Sequence, residues 1–212
     1  MARYENGAET REKIIDACQK LFFEKGFTQT TYLDICKEAH VNQGSIYYHF
    51  KEKAELFRVV DQRENQKNRA FARRLLPKDA PAYMEWMIDI YVYWHRFFCD
   101  PQYRRFMSTP GSSPFSDLDE YYYYWHHLSA FIPDYDVFFR EHVLDFTICT
   151  GIDRHLGMYA MENLDAYTPN ELTEYELRVF MSIFQIERER IDRILERVRT
   201  VIGNVDFSCL LR

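Results

Sequence analysis

Apolar positions recur at helical spacing along most of the chain. Ile14, Cys18, Leu21 and Phe22 fall at i, i+4, i+7 and i+8, one stripe of a helix over 10–25. Thr10 is the expected N-cap, Glu12 suits the positive end of the helix, and Gly26 marks its stop. TYLDICKEA follows, with Thr31 and Asp34 at capping-box spacing and Leu33, Ile35 and Cys36 apolar. A short break leads to NQGSIYYHF, where Asn42 is the expected N-cap. Three helices in quick succession, the second about nine residues long and the third about seven, have helix-turn-helix spacing.

The pattern then changes. Residues 53–76 predict one long helix with apolar ends (Leu56, Phe57, Val59 and Val60; Ala70, Phe71, Leu75 and Leu76). Its centre, DQRENQKNR, is almost wholly polar, which suits a connector buried at both ends and wet in the middle. Pro77 and Pro81 close it. Further helices are predicted at 82–99, 101–107, 115–131, 135–162 and 171–202, with breaks at Pro101, Pro110–Pro114, Pro133 and Pro169. The last two are long and have mixed faces, as for helices that pack inward and also against a second subunit.

Composition narrows the class. The 212 residues are 47% hydrophobic and 28% charged, with only 7 Gly and 7 Pro, as expected for a globular helical protein. The opening MARYENGAETREK has no apolar h-region and no run of 18 apolar residues occurs, so neither a secretory signal nor a membrane span is expected. Five scattered cysteines without a CxxC read as reduced packing residues of a cytoplasmic protein. The net charge of −6 is unevenly spread. Residues 1–78 hold 15 Lys and Arg against 11 Asp and Glu, and no lysine follows Lys78. Such asymmetry fits one region facing a polyanion and another that does not.

The stretch Thr30–Phe57, TTYLDICKEAHVNQGSIYYHFKEKAELF, resembles the DNA-binding signature of the TetR family, and residues 10–57 resemble its N-terminal domain throughout. Gly26-Phe27, Thr30-Thr31, Ile35, Ala39, Val41, Gly44, Tyr47-Tyr48-His49-Phe50, Lys53 and Leu56-Phe57 arrive in the family's order. The resemblance implies an all-α fold. An N-terminal three-helix helix-turn-helix DNA-binding domain (1–52) would be joined by a long helix to a C-terminal helical ligand-sensing and dimerisation domain (53–212). The implied function is sequence-specific regulation of transcription by a cytoplasmic homodimer, a repressor released from double-stranded operator DNA by a small-molecule effector. The alternative is a regulator of the same fold with no small-molecule effector, architectural or controlled by a protein partner.

Within the motif, Ile46 and Phe50 are expected in the core, and Gly44 is expected to let the third helix pack closely on the second. Thr31, Tyr32, Gln43, Ser45, Tyr47, Tyr48, His49 and Lys53 are the expected DNA-binding residues. Gln43 can bind adenine bidentately, and the small Ser45 lets the helix sit deep against bases or a thymine methyl. Tyr47 and His49 suit phosphates, Thr31 and Tyr32 backbone contacts, and Lys53 adds charge at the start of the fourth helix. Two positions depart from the family: His40 stands where the turn usually has Gly, and Glu52 where a better N-cap is usual. The recognition helix contains no Arg or Lys, so it offers no Arg–guanine contact.

Residues 83–146 are crowded with aromatics, among them Tyr103, Phe106 and the run Tyr121–Trp125. In the family such a region forms a pocket, and aromatic walls suit a flat aromatic or cationic apolar effector. Trp94, Trp125, Phe138 and His142 are the expected ligand contacts. His95, His126, His127 and His142 lack metal-ligand spacing, so no metal or cofactor is expected. No Gly-rich phosphate loop, nucleophile elbow, HExxH or kinase-type set occurs, and an enzyme is not expected.

Overall fold

A computed structural model describes residues 2–108, 123, 126–127, 140–203 and 205–207. Helices account for the regular structure of the described residues. They are α1 (Ala2–Lys25), α2 (Tyr32–Ala39), α3 (Gln43–His49), α4 (Lys53–Leu75), α5 (Tyr83–Cys99), α6 (Pro101–Met107), α7 (Arg140–Glu162), α8 (Pro169–Ile183) and α9 (Arg188–Ile202). The predicted helix at 115–131 lies largely outside the described residues, as does the start of the one at 135–162. The chain divides into two units, Met1–Gln66 with Pro101–Ser113 and Lys67–Asp100 with Pro114–Arg212.

In the first unit, α1 starts eight residues before the expected cap, and Thr10 lies inside it. The residues ahead of it tolerate helix, and Glu9 pairs with Lys13 one turn on at 2.6 Å. Gly26 ends α1 at φ +87, a backbone conformation that glycine adopts without a Cβ clash. Thr31 caps α2 through the expected box. Its Oγ1 accepts from the Asp34 N–H at 3.1 Å, and its own N–H donates to Asp34 Oδ2 at 2.9 Å. His40 takes the left-handed turn at φ 54, ψ 42, as its place in the motif demands. Ile14, Cys18, Phe22, Ile35, Ala39, Ile46, Phe50, Leu56 and Phe57 then form one core.

That core has a distant member. Phe106 of α6 is fully buried in it, its ring centroid 4.7 Å from Phe57 and 5.0 Å from Phe23. Beside it, Arg105 Nη1 donates to the carbonyls of Phe23 (3.0 Å) and Glu24 (2.6 Å), satisfying acceptors that the end of α1 leaves open. Phe106, counted by sequence among the aromatics of the sensing half, is therefore a core residue of the first unit, and the buried Tyr103, counted there too, has its ring 6.3 Å from that of Phe23.

The polar middle of α4 is wet only in part: Gln66 and Lys67 are exposed, while Glu64 and Asn68 are buried. Arg63 bonds Glu12 and Asp16 of α1 at 2.6 Å each, and the buried Glu64 accepts from Gln19 Nε2 at 2.8 Å. Further along, the buried Asn68 accepts from Arg96 Nη1 of α5 at 2.7 Å. Hydrogen bonds account for Arg63, Glu64 and Asn68 of this polar stretch.

In the second unit, α5 is buried almost all round, Trp86, Tyr91, Trp94 and Phe97 included. Trp86 stacks on Phe180 of α8 with centroids 6.3 Å apart. The single helix predicted at 171–202 is two, α8 and α9. Gln185 adopts φ 57, its N–H donates to the Ser182 carbonyl and that of Ile186 to Met181. This is a Schellman close with Ile186 and Met181 both buried, built without the glycine that usually signals it. α8 itself starts on Pro169 behind a Thr168–Glu171 capping box.

Candidate nucleic-acid interface

The helix-turn-helix is held from behind. Ile46 and Phe50 are buried, so the opposite side of α3 faces outward. Asn42 caps the helix, its Oδ1 accepting from the Ser45 N–H at 2.9 Å. The Ser45 hydroxyl also donates to that oxygen, at 3.2 Å, so the half-buried Ser45 serves the cap. Gly44 is exposed and does not pack on α2. A Cβ there would meet Asn42 Oδ1 at 3.2 Å, so glycine at this position protects the cap.

Tyr48 is 83% exposed and Tyr47 51%, while Gln43 is exposed at the head of the helix. Gln43 Nε2 donates to the Tyr47 hydroxyl at 3.2 Å. The Tyr47 ring lies against that of Tyr32, centroids 5.3 Å apart, and His49 lies edge-on to Tyr48 at 4.9 Å. An open notch of about 420 Å³ runs beside this surface, lined by Gly7 and Thr10 of α1 and by Asn42, Gly44, Ser45, Tyr48 and His49. Thr31 is exposed at the head of α2, with Asp34 below the usual carboxylate range because the Thr31 N–H and Lys25 bond its charged form.

Lys53 has a second occupation that the sequence did not signal. Its Nζ donates to the Thr30 carbonyl at 2.7 Å and stands 4.3 Å from the centre of the Phe27 ring. Burial lowers its pKa. The neighbouring Cys18 thiol is pushed up to about 12 by burial, an unreactive packing group as expected. Leu33, one of the apolar residues of α2, is 63% exposed. Its place half a turn from the buried Ile35 and Ala39 was the available signal.

Of the expected ligand contacts, Trp94 is fully buried and its indole N–H donates to the Glu176 carboxylate of α8. Trp125 and Phe138 lie outside the described residues. His142 lies in α7, its side chain outside them too. Among the described residues no cluster of His, Cys, Asp or Glu could hold a metal ion, and no helix is long and apolar enough to cross a membrane.

Fold and site together define an all-helical protein with a helix-turn-helix near its N-terminus. Residues 14–60 match the family model described as bacterial regulatory proteins, tetR family. The HTH-type transcriptional regulator TtgR of Pseudomonas putida is 43% identical over 56 residues, 26% of this chain and 27% of that protein. The HTH-type transcriptional regulator AcrR of Shigella flexneri is 42% identical over 52 residues, 24% of each. The chain thus matches about a quarter of the length of these curated relatives. The solved structure of full-length TylP, a TetR regulator from Streptomyces fradiae, superposes with a TM-score of 0.51 at 17% identity, over 97% of this chain and 95% of that one. Residues 14–60 thus resemble the N-terminal DNA-binding domain of that family.

Proposed function

We propose that this chain is a sequence-specific DNA-binding transcriptional regulator, a homodimeric repressor released from double-stranded operator DNA by a small-molecule effector. The observation that carries the DNA-binding reading is the division of α3 into a buried anchor, Ile46 and Phe50, and an exposed row of Gln43, Tyr47 and Tyr48. A short helix anchored from behind with hydrogen-bonding side chains outward suits the major groove. Thr31, Tyr32, Ser45, His49 and Lys53 complete the proposed contact set within residues 1–52 and the start of α4. Enrichment of a random duplex pool on the full-length protein tests it. A two-fold symmetric sequence is expected to emerge, and a pool that stays random contradicts the reading.

Residues 53–212 are proposed to sense the effector and to dimerise. Dimerisation is supported by α7, which exposes Leu144, Ile148, Met158 and Tyr159, and by the exposed Tyr175 of α8. The outer face of α9 is charged, with Arg188, Glu189, Asp192, Arg193, Glu196 and Arg197 exposed, so the apolar surface is that of α7. The effector is proposed to be a small aromatic or cationic apolar molecule near Trp94, Trp125, Phe138 and His142. Its coupling is reciprocal, so tryptophan quenching by such a ligand is expected to weaken when operator is bound. A specific observation favours the second reading, a regulator without small-molecule effector: Trp94 is wholly enclosed and its N–H is taken. Equal ligand affinity with and without operator would decide for it.

A further inference from the structure

We infer that Tyr47 is the positioning residue for Gln43, holding its amide in the one orientation that selects adenine. The inference rests on the proposed DNA-binding role and concerns the division of labour inside it. Adenine presents an acceptor, N7, beside a donor, N6–H, so a glutamine must offer Nε2–H to the first and Oε1 to the second. An unrestrained, exposed glutamine samples both amide orientations, and the flipped one meets the pattern of no base with the same pair of bonds.

Tyr47 removes that freedom. It lies one turn after Gln43 on the same face, and its hydroxyl accepts from Gln43 Nε2 at 3.2 Å. The nitrogen carries two hydrogens, so one is used here and the other remains for N7 with Oε1 beside it. The Tyr47 hydroxyl hydrogen is then free to be donated outward to a phosphate. Once donated, it leaves the oxygen able only to accept, which fixes the amide orientation at the moment of binding. The ring is braced from behind by Tyr32, at 5.3 Å between centroids. The head of α2 and the base-reading end of α3 are thus linked through two phenol rings.

The test uses the full-length protein, the duplex that wild type selects, and single A·T to G·C replacements across one half-site. Wild type is expected to discriminate at a position that Gln43→Ala renders indifferent, by about tenfold or more. Tyr47→Phe keeps the ring and its packing on Tyr32. It is expected to lose discrimination at that same position by at least about threefold and to leave the others unchanged. The double variant is expected to show the same discrimination at that position as Gln43→Ala alone, because the two side chains act there as one unit. A Tyr47→Phe protein that weakens on every duplex by the same factor, or not at all, overturns the inference while the DNA-binding reading stands. A Gln43→Ala protein with unchanged preferences overturns it too. Wild type without any sequence preference overturns both, and so separates the two failures.

Discussion

The Trp94 indole N–H donates to the carboxyl of Glu176, joining α5 to α8 in the interior of the second unit. Glu176 is fully enclosed, and burial, with the negative Asp153 beside it, raises its pKa well above the usual carboxylate range. Its proton is shared with Asp153 of α7, so three helices meet at one acid pair.

The raised folded-state pKa has a consequence for stability against pH. The folded form holds the Glu176 proton more tightly than the unfolded chain does. The contribution is therefore complete below the unfolded carboxylate pKa and is lost as pH rises through the folded one. Wild type is expected to melt at progressively lower temperature as pH rises above the ordinary carboxylate range. Glu176→Gln, which can still accept from Trp94 and donate to Asp153, is expected to flatten that slope. Parallel slopes for the two proteins would show that Glu176 is ionised in the fold.

His40 is expected to be a strained position. At φ 54 its Cβ crowds the backbone, so His40→Gly is expected to stabilise the first unit by about 0.5–1 kcal/mol. Denaturant unfolding measures this, and a destabilised variant would mean that the imidazole makes a compensating bond. The turn itself could be read in advance, because Ala39 and Val41 on either side fit a motif that requires a left-handed residue there. The other left-handed turn could not be. Nothing in FQIE distinguishes Gln185 from a helical residue, since neither Gly nor Pro marks it.

Phe106→Ala is expected to destabilise the first unit by about 3–5 kcal/mol, through the cavity it leaves among Phe22, Phe23 and Phe57. Hydrogen exchange should show the loss at amides of α1 and α2, although the substituted residue is far along the chain. Unchanged protection there would remove α6 from this core. Sequence patterns did not show the relationship because they report local periodicity, and the partners of a helix are set by long-range packing. The same holds for Glu64 and Asn68, polar by type and buried only because Gln19 and Arg96 reach them. Local chemistry was legible by contrast: Thr31 with Asp34, Asn42 with Ser45, and the inward pair Ile46 and Phe50.

The dimer proposed through α7 predicts that Ile148→Glu yields a monomer. Ile148 is 52% exposed and lies four residues from Leu144 on the same stripe, so the substitution spares the fold and charges the contact. Light scattering at micromolar concentration reads the mass directly. A dimer that survives Ile148→Glu and Leu144→Glu together would put the interface elsewhere.

The central claim is that the outward row of α3 reads DNA while the inward pair only supports the fold. The most direct measurement is the affinity of full-length Gln43→Ala/Tyr48→Ala for the duplex that wild type selects, taken alongside its melting temperature. Both side chains are exposed, so melting is expected to stay within about 1 kcal/mol of wild type in stability. Binding to the selected duplex is expected to fall by about tenfold or more, with the weak affinity for unrelated duplexes unchanged. A variant that melts as wild type does and still binds the selected duplex with wild-type affinity would contradict the account.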